Sequence, residues 1–330
     1  MPITMQEIAQ ELNISVSTVS RALSGHHGQV SEGTKKAILD LAGKHGVQRR
    51  KIVGKNVAFV IDRELFNVGS SFYNSVISGI EAELIKNRYY FQFNSVDRKN
   101  FGLKSINLNF PDIVGVIFVG FYHDDLVLEL KNKEIPIVLL DYHLPTEDID
   151  SVLIDNTDGI LKACRYLAEL GHTRVAYISG DRVQSSAEER LFGFRRAKEL
   201  FGLLDDPALL GECRGRIDRA HEVMNKIIDS GINPTAVVTH NDVFALGAMD
   251  AIKQRGLCVP ADISVIGFDD ITLAREIVPA LTTVHVPKHM MGVMAVRRLL
   301  HLTEGKEYPY KKILLPTRLK IRNSTASVKQ

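Results

Sequence analysis

The chain has 330 residues, 45% of them hydrophobic and 24% charged, which is an ordinary soluble globular composition. No apolar run reaches the ~18 residues a membrane-spanning helix needs, and the N-terminus MPITMQEIAQEL lacks the basic-then-apolar pattern of a secretory leader. The net charge of +2 hides an asymmetry: residues 1–55 hold eight Lys/Arg against four Asp/Glu, and the remainder holds 33 bases against 35 acids. A basic head on a neutral body suits a polyanion bound by the head alone, and equally suits a solvated charged face. Cys164, Cys213 and Cys258 stand far apart without CxxC spacing, so they read as reduced thiols and the expected location is the cytoplasm.

The head, residues 1–45, reads as three helices. Thr4 with Glu7 three residues later fits a capping box, and Ile8 and Leu12 follow at helical spacing. Asn13 tolerates the left-handed backbone that a tight turn between helices requires. Ser15 opens a second helix running to about Leu23, with Val19 and Leu23 facing inward and Val16, Ser17, Ser20 and Arg21 on the other side. Ser31 caps a third helix with Ile38, Leu39 and Leu41 for the core, and Gly46 ends it. This is helix-turn-helix spacing, in which the second helix enters the major groove; a small structural bundle would show the same spacing.

Residues 8–25, Ile-Ala-Gln-Glu-Leu-Asn-Ile-Ser-Val-Ser-Thr-Val-Ser-Arg-Ala-Leu-Ser-Gly, resemble the headpiece of the LacI/GalR family of bacterial repressors, as does Val30-Ser31. The resemblance implies that Val16, Ser17 and Arg21 read bases, with Thr4, Ser15, Thr18, Ser20 and Ser31 among the DNA-binding residues. Arginine can grip guanine O6 and N7 with two donors, valine can touch a thymine methyl, and serine hydroxyls can bond phosphates without reading sequence.

In that family the third helix runs into Tyr-x-Pro-Asn and a short hinge helix whose Leu wedges into the minor groove. Residues 46–56 depart from this: the linker is shorter, Pro-Asn is missing, and no Leu stands at the wedge position. The usual hinge helix and DNA kink are therefore not expected. Arg49, Arg50 and Lys51 either grip DNA or are a solvated linker. His26 and His27 read as loop residues, because no third ligand follows at metal spacing.

From Asn56 onward strand and helix alternate. The runs Val57–Ile61, Val114–Val119, Ile137–Leu140, Val175–Ile178, Ala236–Val238 and Ser264–Phe268 read as buried parallel strands. Helices are expected at Ser75–Ile85, Gly159–Leu170, Leu191–Phe201 and Phe244–Gln254, which gives a doubly wound α/β fold. A weak repeat, Val57-Ala58-Phe59-Val60-Ile61 and Val175-Ala176-Tyr177-Ile178, suggests two lobes around a cleft. Such sheets bind ligands at the carboxyl ends of their strands. There lie Phe72 and Tyr73, Asp141, a loop ending in Arg190, Asn241, Phe268 and Asp269. Carboxylates, an arginine and aromatic rings suit a polyhydroxyl ligand, although Asp or Asn at a strand end also caps the next helix.

The resemblance extends through the body: Leu170 to Gly180, Arg190-Leu-Phe-Gly-Phe, Pro234 to Asp242, Val259 to Asp270 and Pro279-Ala-Leu-Thr-Thr-Val. It implies an all-α helix-turn-helix headpiece on a two-lobed, periplasmic-binding-protein-like α/β body with doubly wound parallel sheets. It also implies that Phe72, Asp141, Arg190, Asn241 and Asp269 line an effector pocket. Where the family often places an aromatic ring, Gly215 stands here. The implied division is a DNA-binding domain at 1–45, a linker at 46–56 and an effector and dimerisation domain at 57–330. One lobe takes about 57–155 and 287–316, the other about 156–286 and 317–330, with crossings near Asp155, Val286 and Pro316.

The expected protein is a sequence-specific transcription regulator. It represses sugar-utilisation genes as a homodimer on a near-palindromic operator, under control of a small sugar or sugar phosphate. A purine or a phosphorylated carrier protein is the alternative signal. An enzyme is disfavoured: GxGxxG does not follow Val57–Ile61, and neither a P-loop nor a GxSxG elbow occurs. No cofactor or metal is expected. The tail after Ile321 has no heptads, so no coiled coil is expected there.

Overall fold

The computed structural model describes residues 4–23, 30–44, 55–68, 70–97, 106, 112–120, 124–181, 185–213, 217–304 and 309–328. The head consists of α1 (Met5–Glu11), α2 (Val16–Leu23) and α3 (Glu32–Lys44). Thr4 caps α1: its Oγ1 accepts from the Glu7 N–H at 3.2 Å, and its own N–H donates to the Glu7 carboxylate at 2.6 Å. Asn13 turns the chain with φ 50°. Ile8, Ala9, Val19, Ala22, Ile38 and Ala42 form the buried core. Half of these are alanines, so the three short helices approach closely.

Among the described residues the body forms two six-stranded sheets. The first comprises β1 (Asn56–Asp62), β2 (Tyr90–Val96), β3 (Ile113–Val119), β4 (Ile137–Leu140), β5 (Asp150–Ile154) and, from the far end of the chain, β11 (Lys312–Leu315), in the order β11-β5-β4-β3-β1-β2. The second comprises β6 (Val175–Ser179), β7 (Leu210–Glu212), β8 (Ala236–Thr239), β9 (Ser264–Asp269), β10 (Thr282–His285) and β12 (Arg318–Lys320), in the order β12-β10-β9-β8-β6-β7. Pairing is parallel except between β10 and β12. The central strands are covered on both faces, which is why β3, Ile-Val-Gly-Val-Ile-Phe-Val, is apolar throughout and wholly buried. Among the described strands the chain passes between sheets after β5, after β10 and again between β11 and β12.

Helices α4 (Arg63–Val68), α5 (Ser70–Lys86) and α6 (Asp124–Asn132) belong to the first lobe, and α7 (Asn156–Glu169), α8 (Ser185–Phe201), α9 (Ile217–Asp229), α10 (Asp242–Gln254) and α11 (Leu273–Glu276) to the second. Helix α12 (Lys288–Leu302) returns to pack on α5 and on β3, β4 and β5. The two helices touch backbone to backbone. A Cβ at Gly79 would stand 2.0 Å from the His289 carbonyl oxygen, and one at Gly292 would stand 2.2 Å from that of Val76. No described helix is long and apolar enough to cross a membrane.

Two of the element boundaries that differ from the sequence reading move candidate site residues into helices. Helix α5 begins at Ser70, so Phe72 and Tyr73 lie in its first turn and not in a preceding loop. The apolar i, i+4 series in fact starts there: Phe72, Val76, Ile80 and Leu84 are all buried. Helix α8 begins at Ser185, so Arg190 is helical and does not end a loop. Its polar opening, Ser-Ser-Ala-Glu-Glu, is a favourable first turn, with acids near the positive end of the helix dipole.

Candidate functional site

The DNA-facing candidates divide into caps and an exposed helix face. Ser15 Oγ accepts from the Thr18 N–H at 3.1 Å and pairs with the Thr18 hydroxyl at 2.7 Å; Ser31 Oγ accepts from the Thr34 N–H at 3.2 Å. Thr4, Ser15 and Ser31 thus serve the helix starts. Val16 opens α2 and is 44% exposed. Ser17, Ser20 and Arg21 lie in α2, their side chains outside the described residues. Arg49, Arg50, Lys51, the paired histidines, the C-terminal stop at Gly46 and the Gly215 position also fall outside them.

In the body, the strand ends of both sheets bring Asp141, Arg190 and Asp269 into mutual electrostatic reach. Asp141 follows β4 in the first lobe with φ 65°, and Asp269 ends β9 in the second with φ 106°. Arg190 is buried and held on several sides. Its Nε donates to Asn156 Oδ1 at 2.7 Å, and its Nη1 donates to the His240 carbonyl. Its Nη2 lies 3.5 Å from Asp269 Oδ1. Asn156, the first residue of α7, is fixed in turn by donating to Glu189 Oε2 at 2.8 Å.

The electrostatics are acceptor-rich. Asp141 Oδ1 and Asp269 Oδ1 are buried without a hydrogen-bond partner among the described residues, as are Tyr142 Oη, His143 Nδ1 and His240 Nδ1. Burial pushes the Asp141 carboxyl up to about 7, opposed by Arg190 and reinforced by Asp269 and Glu189. Burial likewise raises Asp269, against Arg190 and Lys288. Asp242, in the first turn of α10, is pushed up to about 8 by burial and the charge of Asp269. Burial and the neighbouring Arg190 hold the His240 ring well below its ordinary value, hence neutral.

The remaining candidates are placed differently. Phe72 and Tyr73 are buried, their rings edge to face with centroids 5.1 Å apart. Phe268 is wholly buried, its ring beneath the Arg190 guanidinium and against Gly159. It therefore supports Arg190 and is not an open face for a sugar. Asn241 caps α10, its Oδ1 accepting from the Phe244 N–H at 2.9 Å. Sequence reasoning missed Asn156, His240 and Lys288. Two of these carried a signal, since Asn156 and Lys288 are polar residues standing beside the expected crossings at Asp155 and Val286.

A helix-turn-helix head joined to a two-lobed body, with buried polar groups of both lobes in mutual reach, is the arrangement of a DNA-binding regulator with a small-molecule sensor. Residues 4–48 match bacterial regulatory proteins of the lacI family, and residues 164–325 match a periplasmic binding protein-like domain. The chain is 31% identical, across 99% of both chains, to the HTH-type transcriptional regulator DegA of Bacillus subtilis (strain 168). It is 29% identical to the HTH-type transcriptional repressor CytR of Escherichia coli (strain K12), over 98% of this chain and 97% of the relative. A transcriptional regulator CelR–cellobiose complex superposes with a TM-score of 0.75 at 26% identity, over 98% of this chain and 99% of that one. A lac repressor dimer bound to operator and the anti-inducer ONPF shares the fold, with a TM-score of 0.72 at 24% identity over 99% and 100% of the two chains. The chain belongs to the lacI family of bacterial regulatory proteins, and is a DNA-binding transcriptional repressor of that family rather than an enzyme.

Proposed function

We propose that this protein is a cytoplasmic repressor of sugar-utilisation genes, which binds a near-palindromic operator as a homodimer and is controlled by a small sugar in the interlobe cleft. The observation that carries this reading is the buried Asp141 Oδ1, without a hydrogen-bond partner among the described residues, within electrostatic reach of the Arg190–Asp269 ion pair of the opposite lobe. Buried acceptors without donors are costly. A polyhydroxyl ligand supplies several donors at once, and its own oxygens can accept from Arg190. The cellobiose bound by the related CelR supports a sugar. In this reading Asp141, Arg190 and Asp269 grip the ligand. Phe72 and Tyr73 back the first-lobe wall, Phe268 supports Arg190, and Asn241 shapes the rim while capping α10.

On the DNA side, Val16, Ser17 and Arg21 read bases from α2. Thr4, Ser15, Thr18, Ser20 and Ser31 position the head against phosphates, and Arg49, Arg50 and Lys51 add sequence-independent attraction. Dimerisation through the first lobe is supported by exposed Ile85, Tyr90 and Phe93 on α5 and the edge strand β2.

The test is a thermal-shift panel of free sugars, sugar phosphates and purines, with a phosphorylated carrier protein as a separate arm. A sugar at 100 times its Kd stabilises by about 2.7 kcal/mol. A response to purines alone, or to the carrier protein alone, overturns the sugar assignment and leaves the DNA-binding role intact.

A further inference from the structure

One buried ammonium stands at the crossing from β10 to α12. Lys288 follows Val286-Pro287, opens α12 and is 7% exposed. Its Nζ donates to the main-chain carbonyls of Asp269 and, at 3.1 Å, Asp270. Both carbonyls lie at the end of β9, in the second lobe, where the backbone has φ values of 106° and 53°. Helix α12 itself packs in the first lobe, and the Phe72 ring of that lobe lies 5.9 Å from Nζ. A single side chain therefore bonds one lobe from the first turn of a helix anchored in the other.

The chemistry of this contact makes it stiff. An ammonium taken out of water is tolerated only while charge-assisted hydrogen bonds and nearby opposite charge replace its hydration. The carbonyls of Asp269 and Asp270 supply the bonds, and the nearby Asp270 carboxylate, held ionised by Arg322 and His285, supplies opposite charge. Beyond Lys288 the first lobe has no slack, because α12 and α5 meet backbone to backbone at Gly79 and Gly292. Movement at the end of β9 is thus delivered to the α5–α12 pair, and α5 carries Phe72 and Tyr73 in its opening turn.

We propose that Lys288 is the positioning residue that couples the two lobes, pinning the end of β9 to the α5–α12 pair so that occupancy at Asp269 reorients the first lobe. Its regulatory meaning rests on the reading of the cleft as the effector site. The pinning itself does not depend on any ligand, and it is tested without one.

The experiment uses the full chain in a Cys258→Ser background with spin labels at Glu129→Cys on α6 and Lys253→Cys on α10, both exposed and on different lobes. Double electron–electron resonance reads the interlobe distance, with single-label controls removing distances between copies of the chain. The parent gives one narrow distribution. Lys288→Met at least doubles its width, and Lys288→Arg restores it by reaching the same carbonyls with a cation. If the methionine variant fails to fold, Lys288→Gln carries the same expectation. A merely structural lysine would lower the melting temperature and leave the distribution superimposable on the parent, and that result overturns the proposal. An effector that is not a sugar would show in the thermal-shift panel and would leave this measurement untouched.

Discussion

The guanidinium carbon of Arg190 lies 3.7 Å from the centroid of the Phe268 ring. The ring fixes the cation from below while Asn156 and the His240 carbonyl hold its edge, so Arg190 is preorganised at the mouth of the second sheet. Arg190→Ala should remove the response to effector and leave operator binding near normal in its absence, because the head is a separate domain. It should also cost about 3 kcal/mol of stability, since Asp269 loses its buried partner. Calorimetry with the sugar identified by the panel, beside urea melts, checks both. Unchanged ligand affinity in a folded variant would remove Arg190 from the site.

The raised acids set the pH behaviour. Asp141 and Asp242, pushed up mainly by burial to about 7 and about 8, hold protons in the folded state at pH values where the unfolded chain has lost them. Their contribution to stability therefore falls as pH rises from about 4 to those values, then levels off. Urea midpoints should decline from pH 5 to pH 8, and Asp141→Asn should flatten the portion below pH 7. Asp270 acts in the opposite sense. Burial opposes its charge, but hydrogen bonds from Arg322 and His285 outweigh this and hold it at about 2, so its contribution is lost as pH falls below about 4. A midpoint that rises from pH 5 to pH 8 would contradict the assignment of Asp141 and Asp242.

A sugar hydroxyl donating to Asp141 favours the ionised carboxylate. Effector affinity should therefore strengthen from pH 6 to pH 8, with proton release on binding. Calorimetry in buffers of different ionisation enthalpy measures that proton directly. An affinity that is flat or weakens over this range means the ligand meets the protonated acid.

Arg21→Ala should cost about 1–3 kcal/mol of specific operator binding and relax preference at one base pair in each half-site. Replacing Arg49, Arg50 or Lys51 should instead weaken binding to all sequences and flatten its salt dependence. Equal losses on operator and random DNA for Arg21→Ala would show that it holds only phosphate.

Asn241→Ala should lower stability by about 1 kcal/mol through loss of the α10 cap, with little change in effector affinity beyond that. A tenfold loss of affinity at unchanged stability would return Asn241 to the ligand.

What the sequence disclosed follows from the range of the forces involved. The head was legible because its signals are local: the Thr4–Glu7 box, the turn at Asn13, and apolar spacing within a few residues. The interior strands were legible because burial on both faces leaves an unbroken apolar run, as in β3. The edge strands β2 and β11 are half-exposed and mixed in composition, so no run marked them. Asp141, Arg190 and Asp269 could be picked out by position at strand ends, apart from the helical placing of Arg190. Asn241 could not be resolved, because a cap and a ligand contact ask for the same side chain. Lys288 showed in the sequence only by its place beside the crossing at Val286, because what makes it notable, two carbonyls from another lobe, is purely tertiary.

The contact of α5 with α12 also sets a timetable for synthesis. Gly79 finds its partner only when His289 exists, and β5 finds its neighbour β11 later still. The second sheet waits in the same way for β12. At about 5–20 residues per second the ribosome needs on the order of ten seconds to travel from Ile154, the end of β5, to Lys288. The head is complete well before that. A nascent chain should therefore hold a folded DNA reader ahead of either sensor lobe, and protease digestion of stalled chains would show the head protected first.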